Sequence, residues 1–465
     1  MVDDLLSVLL AGGRRADRLT HVEHLEPRPA EHGEWPVWAD PQIVAGYAHL
    51  GVQRPWRHQA EAAEQVWSGR HTVLATSTGS GKSLAFWLPA LTAVRGHGGP
   101  RGPEDAAPPG SPTTPAPHPS RRATVLYLCP TKALAADQLT GLHRLLTAAD
   151  VPDVRTATCD GDTDVTERRW VREHADVVLT NPDFLHFALL ANHSRWTRVL
   201  RGLRYVVVDE CHAFRGVFGA HVASVLRRLR RLAAHHGAAP TFVLASATTS
   251  DPAASAARLL GVDAGDVVAV ARDTSPRGRM TVALWQPPLL PGRGQPEVGV
   301  VAALGGGTGT TPGGAGTTPG GGTGTAPDTG TADADGDGSD LPVAPVHRTA
   351  TAETADLLTD LVVAGARTLA FTRSRRAAES VAATTRDALE DVAPGLGALV
   401  AAYRGGYLPE ERRALEEGID SGRLLALATT NALELGVDIS GLDAVLIAGW
   451  PGTRISLWQQ AGRAG

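Results

Sequence analysis

Lysine is almost missing from this chain: Lys82 and Lys132 stand alone against 42 arginines. A GC-rich coding bias that writes arginine wherever a surface cation will serve accounts for the shortage, and it makes the two survivors informative. A lysine kept against that bias marks a place that needs a compact ammonium on a flexible stem rather than a planar fork. Cysteine is scarce as well. Cys129, Cys159 and Cys211 are too widely spaced for a disulfide framework or a zinc-ligand motif, which suits a reducing, cytoplasmic setting. No apolar run approaches the roughly 18 residues of a membrane span. The opening Met1-Val2-Asp3-Asp4 has no basic stretch leading into an apolar core, so no secretion signal is expected. A net charge of −5 gives no global basic field, although local cations can line a cleft on an acidic body.

What is present is 465 residues, 43% hydrophobic but only 5% aromatic, enough for two or three Ala/Val/Leu-rich α/β domains. Two segments cannot build core. Residues 95–121 are rich in Pro, Gly, Ser and Thr, and residues 292–345 run from a Gly-Thr-Pro tract into Asp-rich sequence around Asp333, Asp335 and Asp337. Such compositions bury too little apolar surface to offset their ordering entropy, and both read as disordered insertions. Elsewhere short apolar runs alternate with helical patterns, the mark of parallel-sheet units. Strands are expected at Thr72–Ala75, Thr124–Cys129, Asp176–Thr180, Tyr205–Asp209 and Thr241–Ser246, with helices such as Lys82–Val94, Lys132–Thr147 and Ala220–Ala234 between them. After the long insertion the rhythm resumes near Thr368–Phe371, Leu399–Ala402, Leu424–Thr429 and Ala444–Ala448. The expected layout is an N-terminal extension (1–40), a first α/β domain (41–280) and a second, shorter one (281–465).

Chemistry is concentrated at strand ends. Thr76-Ser77-Thr78-Gly79-Ser80-Gly81-Lys82-Ser83 follows an apolar run and opens a helix, the context of a phosphate-binding loop, with Thr76 where the strict pattern has Gly. Gly79 and Gly81 let backbone N–H groups approach phosphate oxygens, and the helix N-terminus adds a favourable dipole. Lys82 would reach the β and γ phosphates of ATP and Ser83 would ligate Mg²⁺. The acidic partner lies 127 residues past Lys82, where Tyr205-Val206-Val207-Val208 ends in Asp209-Glu210. Asp209 can hold the Mg²⁺, and Glu210 can orient and deprotonate an attacking water.

With these motifs the chain resembles a superfamily 2 helicase of the DEAD/DEAH-box group, carrying Asp209-Glu210-Cys211-His212 in place of Asp-Glu-Ala-His. It is most similar to bacterial relatives of the RecQ-like repair helicases, in which a cysteine-rich zinc domain follows the motor. The resemblance covers nearly everything outside the two insertions and implies two tandem RecA-like P-loop domains with parallel sheets. It also implies ATP and Mg²⁺ as cofactors and single-stranded or partly duplex nucleic acid as partner. Gln59, 23 residues before Lys82, has the place of the adenine-reading Q-motif glutamine. Pro130 to Gln138, with Pro130, Thr131 and Lys132 as its contacts, resembles motif Ia, and Thr180 to Asp183, with Thr180 and Asn181, motif Ib. Both would grip the nucleic-acid backbone without reading bases, as a translocating motor requires. Ser246-Ala247-Thr248 resembles motif III, which with His212 would couple the two sites.

In the second domain Phe371-Thr372-Arg373-Ser374 resembles motif IV, with Arg373 on nucleic acid. Thr429 through Asp438 resembles motif V, with Thr430 near nucleic acid and Asp438 near the ribose. Leu435 stands where RNA helicases of the group usually carry Arg, which favours DNA. Gln459 to Gly465 resembles motif VI, with Gln459 positioning water and Arg463 touching the γ-phosphate. The sequence stops at Gly465, where the family's next residue is a second Arg, so the second domain is expected to be incomplete and the chain a fragment. An RNA helicase, or an ATP- and DNA-binding piece without turnover, remains the alternative. Arg227-Arg228-Leu229-Arg230-Arg231 is expected to be a solvated helix face rather than a nucleic-acid patch. Cys211 is expected to be an inert stand-in for Ala, its thiol pKa raised by the adjoining carboxylates.

Overall fold

In the computed structural model, residues 2–96, 122–247, 250–290, 346–404, 406–434, 439 and 442–464 are described. Two α/β domains are present, each built on a parallel sheet. In the first, β2 (His71–Ala75), β3 (Thr124–Leu128), β4 (Thr156–Thr158), β5 (Val177–Thr180), β6 (Leu203–Val208), β7 (Thr241–Ser246) and β8 (Val267–Val270) form a seven-stranded sheet in the order β4-β5-β3-β6-β7-β2-β8. The strands are apolar on both faces because helices cover both. Leu74, Val125, Tyr127, Leu179 and Val207 pack on one side with helices 41–49, 57–67, 82–94 and 132–148. Val73, Leu126, Val178, Val208 and Leu244 pack on the other with helices 216–235 and 252–260.

The second domain holds β10 (Thr368–Phe371), β11 (Val400–Tyr403), β12 (Ala426–Thr429) and β13 (Ala444–Ile447) in the parallel order β11-β12-β10-β13. Helices 350–363 and 375–392 cover one face against Ala370, Ala402 and Ala428. Between the domains runs a two-stranded antiparallel ribbon, β1 (Leu19–Leu25) with β9 (Met280–Trp285). It rests on the second domain through Arg18 and Trp285, both hydrogen-bonded at 2.8 Å to Glu353 Oε1. Residues 19–25, in the segment read as an extension, are thus strand-paired with residues 280–285, the stretch read as the start of the second domain.

Nearly all of residues 95–121, and all of 292–345, lie outside the described residues. Arg95 does not, and it belongs to the fold: its guanidinium holds the buried Asp40 at 2.6 Å and Asp153 at 2.8 Å. The run 227–231 is the solvated face expected only in part, with Arg227 and Arg231 exposed and Arg228 and Arg230 half-buried. Arg227 donates to Arg258 O, Arg228 to Leu190 O, and Arg230 to both Leu260 O and Gly261 O. Three of its four arginines therefore staple this helix to its neighbours by satisfying carbonyls at their C-termini. Among the described residues no helix is long and apolar enough to cross a membrane.

Candidate active site between the two domains

Apart from Gln59, which lies on helix 57–67, the motifs of the first domain hang from the C-terminal ends of strands, so sheet order decides what meets what. The loop 76–83 follows β2, Asp209-Glu210 follows β6, and β7, ending at Ser246, lies between them. β3 and β5, which lead into Pro130–Lys132 and Asn181, lie on the far side of β6. The phosphate-binding and backbone-gripping motifs thus share one edge of one sheet, side by side. This is where open α/β sheets place their ligands.

The loop itself is a tight wrap. Gly79 and Gly81 take φ of 77° and 61°, the left-handed region, and a Cβ on Gly81 would meet Gln59 Nε2 at 2.4 Å. Thr76 Oγ1 and Ser80 Oγ share a buried hydrogen bond of 2.7 Å across the loop. The Thr that replaces the motif's first Gly therefore closes the wrap from inside. Lys82, the first residue of its helix, donates to Ser77 O at 2.9 Å and Thr76 O at 3.4 Å. Thr78 and Ser83 are half-buried at the rim.

Gln59 is buried with both ends of its amide engaged: Oε1 accepts from Trp56 N at 2.8 Å and Nε2 donates to Gly81 O at 2.8 Å. As placed it braces the loop. Its neighbour His58, unremarked in the sequence, does the same at Ser80 O, 2.9 Å from Nε2.

Asp209 is buried beneath the loop. Its Oδ2 accepts from Tyr127 Oη at 2.5 Å and its Oδ1 from Glu210 N at 2.8 Å. Burial, reinforced by the Glu210 charge, pushes its carboxyl up to about 6. Burial raises Glu210 too, against the pull of Lys82 and Arg463. Two desolvated carboxylates held one residue apart form a site that calls for added positive charge. Asp209 with the Ser83 hydroxyl is a donor set suited to Mg²⁺, which takes oxygen ligands and few protein groups. No cluster of three or more His, Cys, Asp or Glu suited to a metal occurs among the described residues. Burial first and the Glu210 charge second push the Cys211 thiol up to about 12, the expected direction but with the carboxylates as the smaller cause.

His212 is the junction with the second domain. Its Nε2 lies 2.9 Å from Gln459 Nε2, and its Nδ1 lies 3.2 Å from Glu210 Oε2 and 3.3 Å from Ala247 N. Burial keeps the ring neutral, with its pKa lowered to about 4. Gln459 also reaches Glu210 Oε2 at 3.5 Å, and a Cβ on Gly462 would lie 3.7 Å from Thr78 Cβ. Helix Arg454–Ala461 and the residues after it therefore seat directly on the loop and the acidic pair. Arg463 is buried here, donating to Glu434 O at 3.0 Å and Ile439 O at 3.4 Å, while Gln460 holds the Glu434 carboxylate at 2.9 Å. A cleft of about 420 Å³ continues from this junction between His212, Arg215, Thr372, Arg373, Trp450 and Gln460.

Of the residues assigned to nucleic acid, Thr180 is a correction. It is buried, its hydroxyl donating to Cys159 O at 2.6 Å, so it cannot touch a phosphate. Thr131 and Asn181 spend their side chains capping helices, accepting from Leu134 N and Phe184 N. What they present outward is a helix N-terminus. Lys132 is half-exposed and ion-paired with Asp160 and Asp162. Arg373 is exposed and Thr430 half-buried. Ser246 Oγ donates to Ala247 O, whereas Thr248 and Asp438 lie outside the described residues.

Fold and cleft together define a two-domain P-loop protein, with RecA-like domains in tandem. Residues 56–256 match the DEAD/DEAH box helicase family and residues 353–465 the helicase conserved C-terminal domain, and the chain belongs to the DEAD/DEAH-box helicases. It is 32% identical over 99% of its length to an uncharacterized ATP-dependent helicase, YprA, of Bacillus subtilis, covering 51% of that protein. It is 31% identical over 95% of its length to the ATP-dependent helicase hrq1 of Schizosaccharomyces pombe, covering 36% of it. The structure of the DUF1998 helicase MrfA bound to DNA and AMPPNP superposes with a TM-score of 0.75 at 31% identity, over 98% of this chain and 53% of that one. The chain thus spans about half or less of the length of these relatives.

Proposed function

We propose that this chain is the motor of an ATP-dependent DNA helicase that couples hydrolysis to translocation and strand separation. The observation that carries the reading is the seating of Gln459 on His212 and Glu210, with Gly462 against Thr78. One cleft then contains a phosphate-binding loop, an acidic pair and a cap from the other domain. Lys82 and the loop amides compensate phosphate charge, and Asp209 with Ser83 would hold Mg²⁺, which supplies charge neutralisation when bound. Glu210, raised by burial, accepts the proton of the attacking water. Gln459 positions that water and, through His212 and the β7 end at Ala247, ties hydrolysis to the sheet edge that carries the gripping motifs. For Arg463 to reach the γ-phosphate it must exchange its carbonyl partners for the phosphate, which links motif V to the nucleotide.

DNA is favoured as the track because MrfA, at 31% identity, is bound to DNA. Lys132, freed from Asp160 and Asp162, and the helix N-termini behind Thr131 and Asn181 contact phosphates without reading bases. The test compares phosphate release with single-stranded DNA, single-stranded RNA and no nucleic acid, alongside unwinding of a tailed duplex. Stimulation by DNA above RNA is expected. Stimulation by RNA alone would make the track RNA, and none by either would leave a nucleotide-binding module.

A further inference from the structure

The segment that leaves β8 for the second domain passes directly over the start of the phosphate-binding loop. Asp273 Oδ2 accepts both from the backbone N–H of Ser77, at 3.1 Å, and from the Ser77 hydroxyl. Its other oxygen accepts from Ser275 N at 2.9 Å and Ser275 Oγ at 2.7 Å, and Arg28 Nη2 lies 3.1 Å from it. Burial opposes the charge on Asp273, but these hydrogen bonds and Arg28 outweigh it and hold its carboxyl down at about 2. The next residue, Thr274, meets His58 Nδ1 at 2.8 Å, and His58 Nε2 faces Ser80 O at 2.9 Å. Consecutive residues of the connector thus hold the loop at two points, Ser77 directly and Ser80 through His58.

The same connector is anchored at its far end. Arg277 and Arg28 exchange backbone hydrogen bonds of 2.9 Å in each direction, after which β9 and β1 pair and rest on Glu353 of the second domain. Ser77 is exposed and contributes nothing to the hydrophobic core, so its grip by Asp273 is not needed to build the sheet. A carboxylate one hydrogen bond from a triphosphate loop is electrostatically adverse unless neutralised, and Arg28 is the cation placed to do so.

We propose that Asp273 is a positioning residue for ATP: from the connector between the domains it sets the first turn of the phosphate-binding loop, while Arg28 neutralises its charge. The proposal rests on the ATP-motor reading above and assigns the loop a handle on the second domain's side of the molecule.

Equilibrium titration of the whole chain with a fluorescent ATP analogue tests it. Asp273→Ala is expected to weaken binding about tenfold, since hydrogen bonds to a charged group are lost from a loop whose geometry sets affinity. Ser77→Ala is expected to weaken it less, and Ser77→Ala with Asp273→Ala no more than Asp273→Ala alone, because both act through one contact. Arg28→Ala is expected to weaken binding by baring the carboxylate, and Asp273→Asn is expected to restore it in that background. A purely structural role for Asp273 does not produce such a rescue. Should Asp273→Ala fail to fold, the Ser77→Ala and Arg28→Ala/Asp273→Asn arms decide alone. Unchanged affinity in the folded single variants, multiplicative effects of Ser77 and Asp273, or no rescue would overturn the proposal. Lys82→Ala separates the two readings. Loss of binding there with wild-type affinity in Asp273→Ala sinks this proposal alone, whereas normal binding in Lys82→Ala sinks the motor reading itself.

Discussion

Tyr127→Phe removes a single oxygen from the wall of the site and leaves the aromatic packing intact. The ring is buried between Phe86 and Trp87, and its hydroxyl donates to Asp209 Oδ2 at 2.5 Å. Phe fills the same volume, so the cavity contribution is negligible and the change reports on the hydrogen bond. Bonds to charged groups contribute about 1.5–3 kcal/mol, and Asp209 keeps its second donor, so a loss of about 2 kcal/mol is expected when the carboxylate is ionised. The folded-state pKa of Asp209, about 6, is raised above its ordinary value of 3.8. Ionising this acid therefore costs stability as pH climbs through about 6, and the Tyr127 donor offsets part of that cost. Denaturant unfolding of wild type and variant should differ by about 2 kcal/mol near pH 8 and by less than about 1 near pH 5, where the carboxyl is mostly protonated. Titrating groups not coupled to Asp209 cancel in the difference. An equal loss at both pH values, or one below about 0.5 kcal/mol at the higher, would refute the assignment of Tyr127 as a donor to an ionised Asp209.

Three other outcomes follow from the same contacts. Gln459→Ala should leave ATP-analogue affinity within about threefold and cut nucleic-acid-stimulated turnover by roughly 10² or more, because it breaks the contact with His212 and Glu210 but not the loop; parallel titration and phosphate-release assays check both halves. Arg230→Ala should cost about 1–2 kcal/mol of stability by unsealing Leu260 O and Gly261 O, with single-stranded DNA affinity, read by anisotropy, unchanged; a large affinity loss would make the run a nucleic-acid patch after all. Excising residues 296–340 should leave ATP and DNA affinity nearly unaltered. Leu290 N donates to Val346 O at 2.7 Å, so the ends already meet, and shortening a loop by that factor changes its closure entropy by only about 1.5 kcal/mol, in favour of the shorter chain.

How legible the molecule was in its sequence depended on how far apart the interacting residues lie. The strands buried on both faces read as continuous apolar runs, and helix Lys82–Val94 begins and ends where its pattern places it. β1 escaped notice because Leu-Thr-His-Val-Glu-His-Leu is half polar and exists by pairing with β9, some 260 residues away. The loop and the Asp-Glu pair are contiguous and could be read directly. Tyr127 and Asp273 could not, since they meet their partners across 82 and 196 residues.

Thr180 was misassigned by strand parity. It shares a face with Val178 in β5, which points into the core on the side of helix 216–235. The signal for Thr131 and Asn181 was real, but of a different kind. Ser, Thr and Asn ahead of a helix are caps first, and here they cap. The run 227–231 reads by charge as a solvated face, whereas Arg227, Arg228 and Arg230 are also donors to carbonyls at helix ends.

The central claim is that the loop ending at Lys82 holds ATP while Glu210 acts only on the attacking water. Titrating a fluorescent ATP analogue into wild type, Lys82→Ala and Glu210→Gln, with phosphate release followed in parallel, separates those roles. The account predicts wild-type affinity without turnover in Glu210→Gln, and no measurable binding in Lys82→Ala. Normal affinity in Lys82→Ala, or sustained phosphate release by Glu210→Gln, would contradict it.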